Sequence, residues 1–186
     1  MVPSVVNAVF PKTLELLREK RLEYLREQFG QSLQDEMLLA ASCDTSRWFP
    51  AFLKVQGIRQ EILEVAEFEY LNHAVRTSDL GAVRGDQGQI LLNPTLQFVE
   101  LHFEQPRLGR GKGLYCFFKK QGRVFEEKLG ISQALIIDLL QGERKYNVTQ
   151  IIDSAVDHKL GRSLSREQWQ RNVSDLLNSG LLIILN

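Results

Sequence analysis

Apolar positions along the first third of the chain recur at helical spacing. Leu14, Leu17, Leu22, Leu25 and Phe29 form one stripe over residues 11–29, with Glu15, Arg18, Glu19, Arg26 and Glu27 on the outside. Pro11 suits the first turn of this helix, and Gly30 is its expected stop. A second helix is expected over 32–41. Trp48, Phe49, Phe52 and Leu53 gather around Pro50. The strongest helical pattern of this half runs from Ile58 to Val75, with Ile58, Ile62, Val65, Ala66 and Leu71 on one side. The polar run 77–88 reads as the loop joining two halves.

The period then changes. Residues 96–103 (LQFVELHF) alternate as a strand does, and a Pro-, Gly- and Arg-rich connection follows over 104–113. Strands are expected at 114–120 and 123–129, joined by Gln121-Gly122, whose glycine suits a tight hairpin. Three helices follow: 131–141 with Ser132 as cap and Gly142 as stop, 148–159 capped by Asn147, and a last one headed by the Ser165/Gln168 pair. The last helix buries Trp169, Val173, Leu176 and Leu177 and ends at Gly180. Residues 181–185 close as a short strand. The fold class is α+β: a helical region, 1–90, then a winged-helix-like domain, 91–186, in which three antiparallel strands precede three helices.

A short sheet has two edges with unpaired backbone groups, and an extended peptide can add to one of them. The strand Arg123–Lys128, carrying Arg123, Val124, Phe125, Glu126, Glu127 and Lys128, is the edge expected to do so. The last helix, with Arg166, Trp169, Arg171, Asn172 and Asp175, is the expected opposite wall. Charges on an edge equally suit plain protection against aggregation, and a polar helix face equally suits solvent. Proline at Phe125 is the natural probe if that residue's N–H faces the incoming peptide.

Charge removes some classes of function. The 23 basic residues balance 23 acidic ones, and the halves differ only as −3 and +3. That is too little for attraction to nucleic acid or membrane. Cys43 and Cys116 have no C-x-x-C spacing and read as two buried free thiols, in keeping with a cytoplasmic protein. Residues 1–10 have no basic start and no cleavage site, so no signal peptide is expected. The three histidines, His73, His102 and His158, fall in different elements. Glu69 and His73 lie one turn apart, a spacing that suits two ligands but more often an ordinary polar pair. No metal is expected in this chain, and no catalytic motif is present. The glycine-rich GRGKG at 109–113 opens a strand rather than a helix and is no phosphate loop. Residues 105–125 hold Arg107, Arg110, Lys112, Lys119, Lys120 and Arg123 without an acid.

The stretch 114–185, with its hairpin KKQGRVFEEKL and the helix ends LLQGER and DLLNSGLLIIL, resembles the precursor-recognition winged helices of peptide-modification systems. More closely, the chain is similar to the MbnC family of accessory subunits in methanobactin biosynthesis, on the segments LEVAEFEYLNH (63–73) and LNPTLQFVELHFEQP (92–106). The resemblance implies a non-catalytic subunit. Its partner is an MbnB-like TIM-barrel enzyme, which carries the iron, and the pair binds the leader of an MbnA-like precursor peptide. The partner then uses dioxygen to turn precursor cysteines into oxazolone and thioamide groups of a copper chelator. Residues assigned to the partner surface on this basis are Trp48, Phe49, Phe52, Glu69, His73, Arg107, Arg110 and Lys112. The rival readings are a DNA-binding winged helix, a free-standing enzyme and a purely structural stabiliser.

Overall fold

A computed structural model describes residues 4–17, 19–37, 45–79, 85–142, 145–159 and 161–185. It is a mixed α+β protein with a three-stranded antiparallel sheet. The elements in chain order are α1 (Ser4–Val9), α2 (Pro11–Leu16), α3 (Glu19–Met37), α4 (Trp48–Val55), α5 (Gln60–Thr77), β1 (Ile90–Leu92), β2 (Gln97–Leu101), β3 (Gly113–Lys120), β4 (Arg123–Lys128), α6 (Ile131–Gln141), α7 (Val148–Asp157), α8 (Arg166–Ser179) and β5 (Leu182–Ile184).

The chain divides into two units. One comprises residues 1–74 and 99–113, the other 75–98 and 114–186. This differs from the sequence expectation of a single break near residue 90.

In the first unit, α1 through α5 enclose a core built on Phe10, Leu25, Phe29, Phe49, Leu53 and Ile62. The Phe49 ring lies 4.8 Å from Phe10 and 5.1 Å from Phe29, centroid to centroid. The expected helix 11–29 is broken where Leu17 turns extended, at ψ 132°. Gly30 does not stop α3, which runs through it to Met37. A glycine stop works by adopting positive φ, and Gly30 does not do so. Buried Phe29 and Leu25 hold this helix in place, against a cost of about 1 kcal/mol for an interior glycine.

The three-stranded sheet has the order β2-β3-β4. The second unit holds β4 and all but the first residue of β3, together with the antiparallel β1-β5 pair and α6, α7 and α8. The core gathers Cys116, Phe118, Ile136, Ile151, Ala155, Trp169, Val173, Leu176 and Leu181. Local sequence sets the helix ends. Asn147 and Gln150 exchange two hydrogen bonds of 2.9 Å at the head of α7. Ser165 and Gln168 do the same for α8, at 2.7 and 3.3 Å. Gly180 ends α8 with φ 91°. The head of α6 departs from expectation: Gly130, not Ser132, is its cap residue, and the Gly130 N–H donates to Gln133 Oε1 at 2.8 Å. β1 was not expected from the sequence.

Candidate peptide-binding edge

The hairpin β3–β4 turns on Gln121 and Gly122, with φ of 51° and 76°. Two consecutive left-handed residues make the mirror-image turn that matches strand twist, and glycine takes the second position without strain. Six register pairs follow without interruption, from Lys120↔Arg123 to Tyr115↔Lys128.

Backbone direction follows from this register. In a two-residue hairpin the flanking residues form a mutually hydrogen-bonded pair, and such pairs recur at every second residue. The Leu129 N–H donates to Leu114 O at 2.8 Å, which fixes the same phase at the far end. Arg123, Phe125 and Glu127 therefore turn their amides toward β3. Val124, Glu126 and Lys128 turn theirs the other way, toward the margin of the sheet, where β4 is the last strand. The condition on a proline at Phe125 is not met: Phe125 pairs with Phe118 inside the sheet.

Side-chain direction follows from the same pairs. Cys116 and Phe118 belong to the helical core, and their register partners are Glu127 and Phe125. Arg123, Phe125 and Glu127 thus lie on the helical side of β4. Phe125 stacks on buried Phe118 at 5.7 Å and 19° yet stays 41% exposed. Burial pushes the Glu127 carboxyl up, while the Ser179 side chain and the Lys120 cation oppose the shift. Burial likewise drives the Cys116 thiol up to about 12. Cys116 is a buried free thiol, as expected; Cys43 lies outside the described residues.

The C-terminal end of α8 adjoins the hairpin. Lys120 Nζ donates to Asn178 O at 2.5 Å, a cation at the negative end of the helix. Lys119 Nζ does the same near the end of α5, donating to Arg76 O at 2.9 Å and Ser78 O at 2.7 Å. Two of the six cations in 105–125 are therefore engaged in helix termination. Helical spacing puts Asn172 in line with Ser179, and Asp175 beside that line, so these residues lie on the side of α8 that leads toward the hairpin. Arg171 lies further round and is exposed. Arg166 sits at the opposite end of a 14-residue helix and forms an ion pair with Asp153 of α7. Trp169 is 1% exposed and donates its indole N–H to Gly161 O at 3.1 Å. It belongs to the core that supports α8, not to a groove wall.

A polar clamp that the sequence reading did not single out sets the hairpin against the end of α8. Asn93 Nδ2 donates to Lys119 O and to Gly180 O, both at 2.9 Å. Its Oδ1 accepts from the Thr95 N–H at 3.0 Å and hydroxyl at 2.7 Å. The Thr95 oxygen accepts the Lys119 N–H at 2.7 Å. The signal in the sequence was Asn-Pro-Thr, since Asn side chains readily bond the backbone two residues on.

In the first unit, several residues assigned to a partner surface have internal tasks. Phe49 is buried between two other rings. Glu69 accepts the N–H groups of Lys12 and Thr13 at 2.7 and 2.9 Å and the Thr13 hydroxyl at 2.7 Å, so it serves the first turn of α2. Burial pushes its carboxyl up against those bonds. Trp48 is half-buried, with Arg47 at 4.9 Å from its ring, and Phe52 packs on Phe29. His73 is half-buried on α5. Arg107 pairs with Glu15 at 3.2 Å on the surface. Arg110 closes a tight turn, exchanging backbone bonds of 2.8 and 3.2 Å with Gln105, and the Lys112 N–H meets Glu104 Oε1 at 3.4 Å. The segment 99–113 is secured to α5. Buried Glu64 accepts from the N–H groups of His102 and Phe103 at 3.1 and 3.3 Å and from Gln105 Nε2 at 3.3 Å, and His102 Nδ1 lies 3.1 Å from its other oxygen.

Among the described residues, no group of three or more His, Cys, Asp or Glu side chains is placed to hold a metal ion. Among them, too, no helix is long and apolar enough to cross a membrane. No protein-family model matches the chain, and no curated protein is significantly similar to it.

Proposed function

We propose that this chain is a peptide-binding subunit whose second unit is a winged-helix module of the precursor-recognition type. An extended leader adds to the outer edge of β4 beside the C-terminal end of α8. In the fuller form of this reading, suggested by the sequence resemblance, the chain is a cytoplasmic MbnC-like partner of an iron-dependent TIM-barrel enzyme. It delivers the leader of an MbnA-like precursor, and the partner oxidises the cysteines. Holding the leader on a second subunit raises the effective concentration of those cysteines at the iron. This chain supplies no chemistry in that scheme.

The observation that carries the reading is the position of β4. It is the last strand of its sheet, its register with β3 is unbroken, and the backbone of Val124 and Lys128 is directed outward. The order of strands before helices supports it too. A DNA-binding winged helix gains little from this unit, because the hairpin lysines Lys119 and Lys120 are engaged by backbone carbonyls.

The test is co-expression with an iron-containing TIM-barrel protein and a precursor peptide encoded beside the gene. The enzyme should co-purify in equal amount and the leader should be retained. Val124→Pro removes one outward N–H and leaves the β3 ladder intact, so it should abolish leader capture while enzyme pairing and circular dichroism stay unchanged. Undiminished capture by that folded variant would sink the edge mechanism. Pairing with no leader capture by the wild type would make the chain a structural stabiliser.

A further inference from the structure

The edge of β4 also carries a code for the peptide it takes. Because Arg123, Phe125 and Glu127 pair with β3 through their backbones, each would face an added strand as a non-hydrogen-bonded pair, the kind in which side chains approach most closely, with Cα atoms about 4.5 Å apart. The side chains on the helical side of β4 are therefore the ones an added strand would meet at shortest range. Phe125 presents a large apolar surface there, seated flat on Phe118. Two residues away, Arg123 lies directly opposite Lys120 on the same face. The Lys120 ammonium is held at Asn178 O, so exposed Arg123 is the cation that an acid on the next strand would meet.

We infer that the β4 edge selects an extended peptide carrying an apolar residue followed, two positions later, by Asp or Glu. The inference rests on the edge-binding reading above. The order follows from an antiparallel addition, the more stable pairing: the apolar residue sits opposite Phe125 and the acid opposite Arg123. An odd spacing would put one of the two side chains on the wrong face.

The experiment is selection of a phage-displayed library of random twelve-residue peptides on the full chain, with Val124→Pro protein as the counter-screen. Enriched sequences should share an apolar-x-acid pattern and lose binding to the counter-screen protein. A synthetic peptide from the selection should weaken roughly threefold when its acid becomes an amide, an effect absent on Arg123→Gln protein. It should weaken about tenfold when its apolar residue becomes Ser. Charge reversal, Arg123→Glu paired with acid→Lys in the peptide, should restore binding, and this arm does not depend on proline being tolerated. Peptides that need the Val124 edge but lack the spacing, or carry it reversed, would overturn the code and leave edge binding standing. Peptides that bind the Val124→Pro protein equally well, or no enrichment at all, would overturn both.

Discussion

Asn93→Ala should loosen the hairpin from the end of α8 by an amount that the clamp geometry sets. The substitution removes four side-chain hydrogen bonds, two donated to Lys119 O and Gly180 O and two accepted from Thr95. Asn93 and Thr95 are both buried, so few waters can replace them. At about 1 kcal/mol net per bond the loss approaches 4 kcal/mol, and partial rehydration at the Lys119 side brings the expectation to about 2–4 kcal/mol. Thr95→Val takes away the hydroxyl's bond to Asn93 Oδ1 and the acceptor for the Lys119 N–H. The two variants share partners, so the double variant should fall short of additivity by about 1 kcal/mol. The assay is urea denaturation read by Trp169 fluorescence in a Trp48→Phe background. Trp169 lies in the core of the second unit, so it reports on that unit alone. With a slope of about 2 kcal/mol per molar urea, the midpoint of Asn93→Ala should drop by about 1–2 M. A loss under about 0.5 kcal/mol, or strict additivity, would show that the clamp does not hold the hairpin.

Three further outcomes are expected. Gly161→Ala should cost more than about 3 kcal/mol or prevent folding, because the new Cβ would stand 1.7 Å from Ala155 O, a backbone atom, whereas Gly109→Ala, at φ 67° with open space around it, should cost only about 1 kcal/mol; equal denaturation midpoints for the two would refute the packing argument. Cys116, buried with its thiol pushed up to about 12, should resist iodoacetamide in the native protein and react once the chain is unfolded, as mapped by peptide mass spectrometry. Glu69 has a folded value raised above its ordinary 4.5, so the stability gained from its proton is full below 4.5 and is lost as pH rises through the folded value. Wild-type stability should therefore fall over that window relative to Glu69→Gln, and parallel pH curves would show that burial does not hold the proton.

Local signals were the readable ones. The heads of α7 and α8 follow from Asn147/Gln150 and Ser165/Gln168, and the hairpin follows from Gln121-Gly122, because each is a bargain among residues within a few positions. What escaped was set across long separations. β1 is three residues long and pairs with β5 near the other end of the chain, so it has no strong pattern of its own. Glu69 looked like half of a surface pair with His73, yet it bonds Lys12 and Thr13. Residues 99–113 were placed with the strands that follow them, yet Glu64 secures them to α5. Arg166 and Trp169 were grouped with Asn172 and Asp175 because all four are on α8. Helical phase and length separate them, and Trp169 already belonged to the inward stripe.

The phase of the hairpin decides more than the choice of a proline probe. Chains that merely protect an open strand do so with a bulge, a proline, a very short strand, charged side chains or a charge turned inward. β4 has six residues in continuous register with β3, no proline and no bulge. Four of its six side chains are charged and Glu127 turns toward the helices, as on a protected strand, but the middle of the helical face holds an exposed phenylalanine supported by the core. That combination leaves the template intact and adds an apolar anchor where an added side chain would come closest. Protection alone accounts for Arg123 and Lys128, but it gives no reason to keep an aromatic ring exposed between Arg123 and Glu127. If the strand were only shielded, Phe125→Lys should lose the stack on Phe118 but leave leader capture unchanged and improve solubility. If the edge accepts a peptide, the same change should preserve the fold, since Phe118 stays buried, and should abolish leader capture.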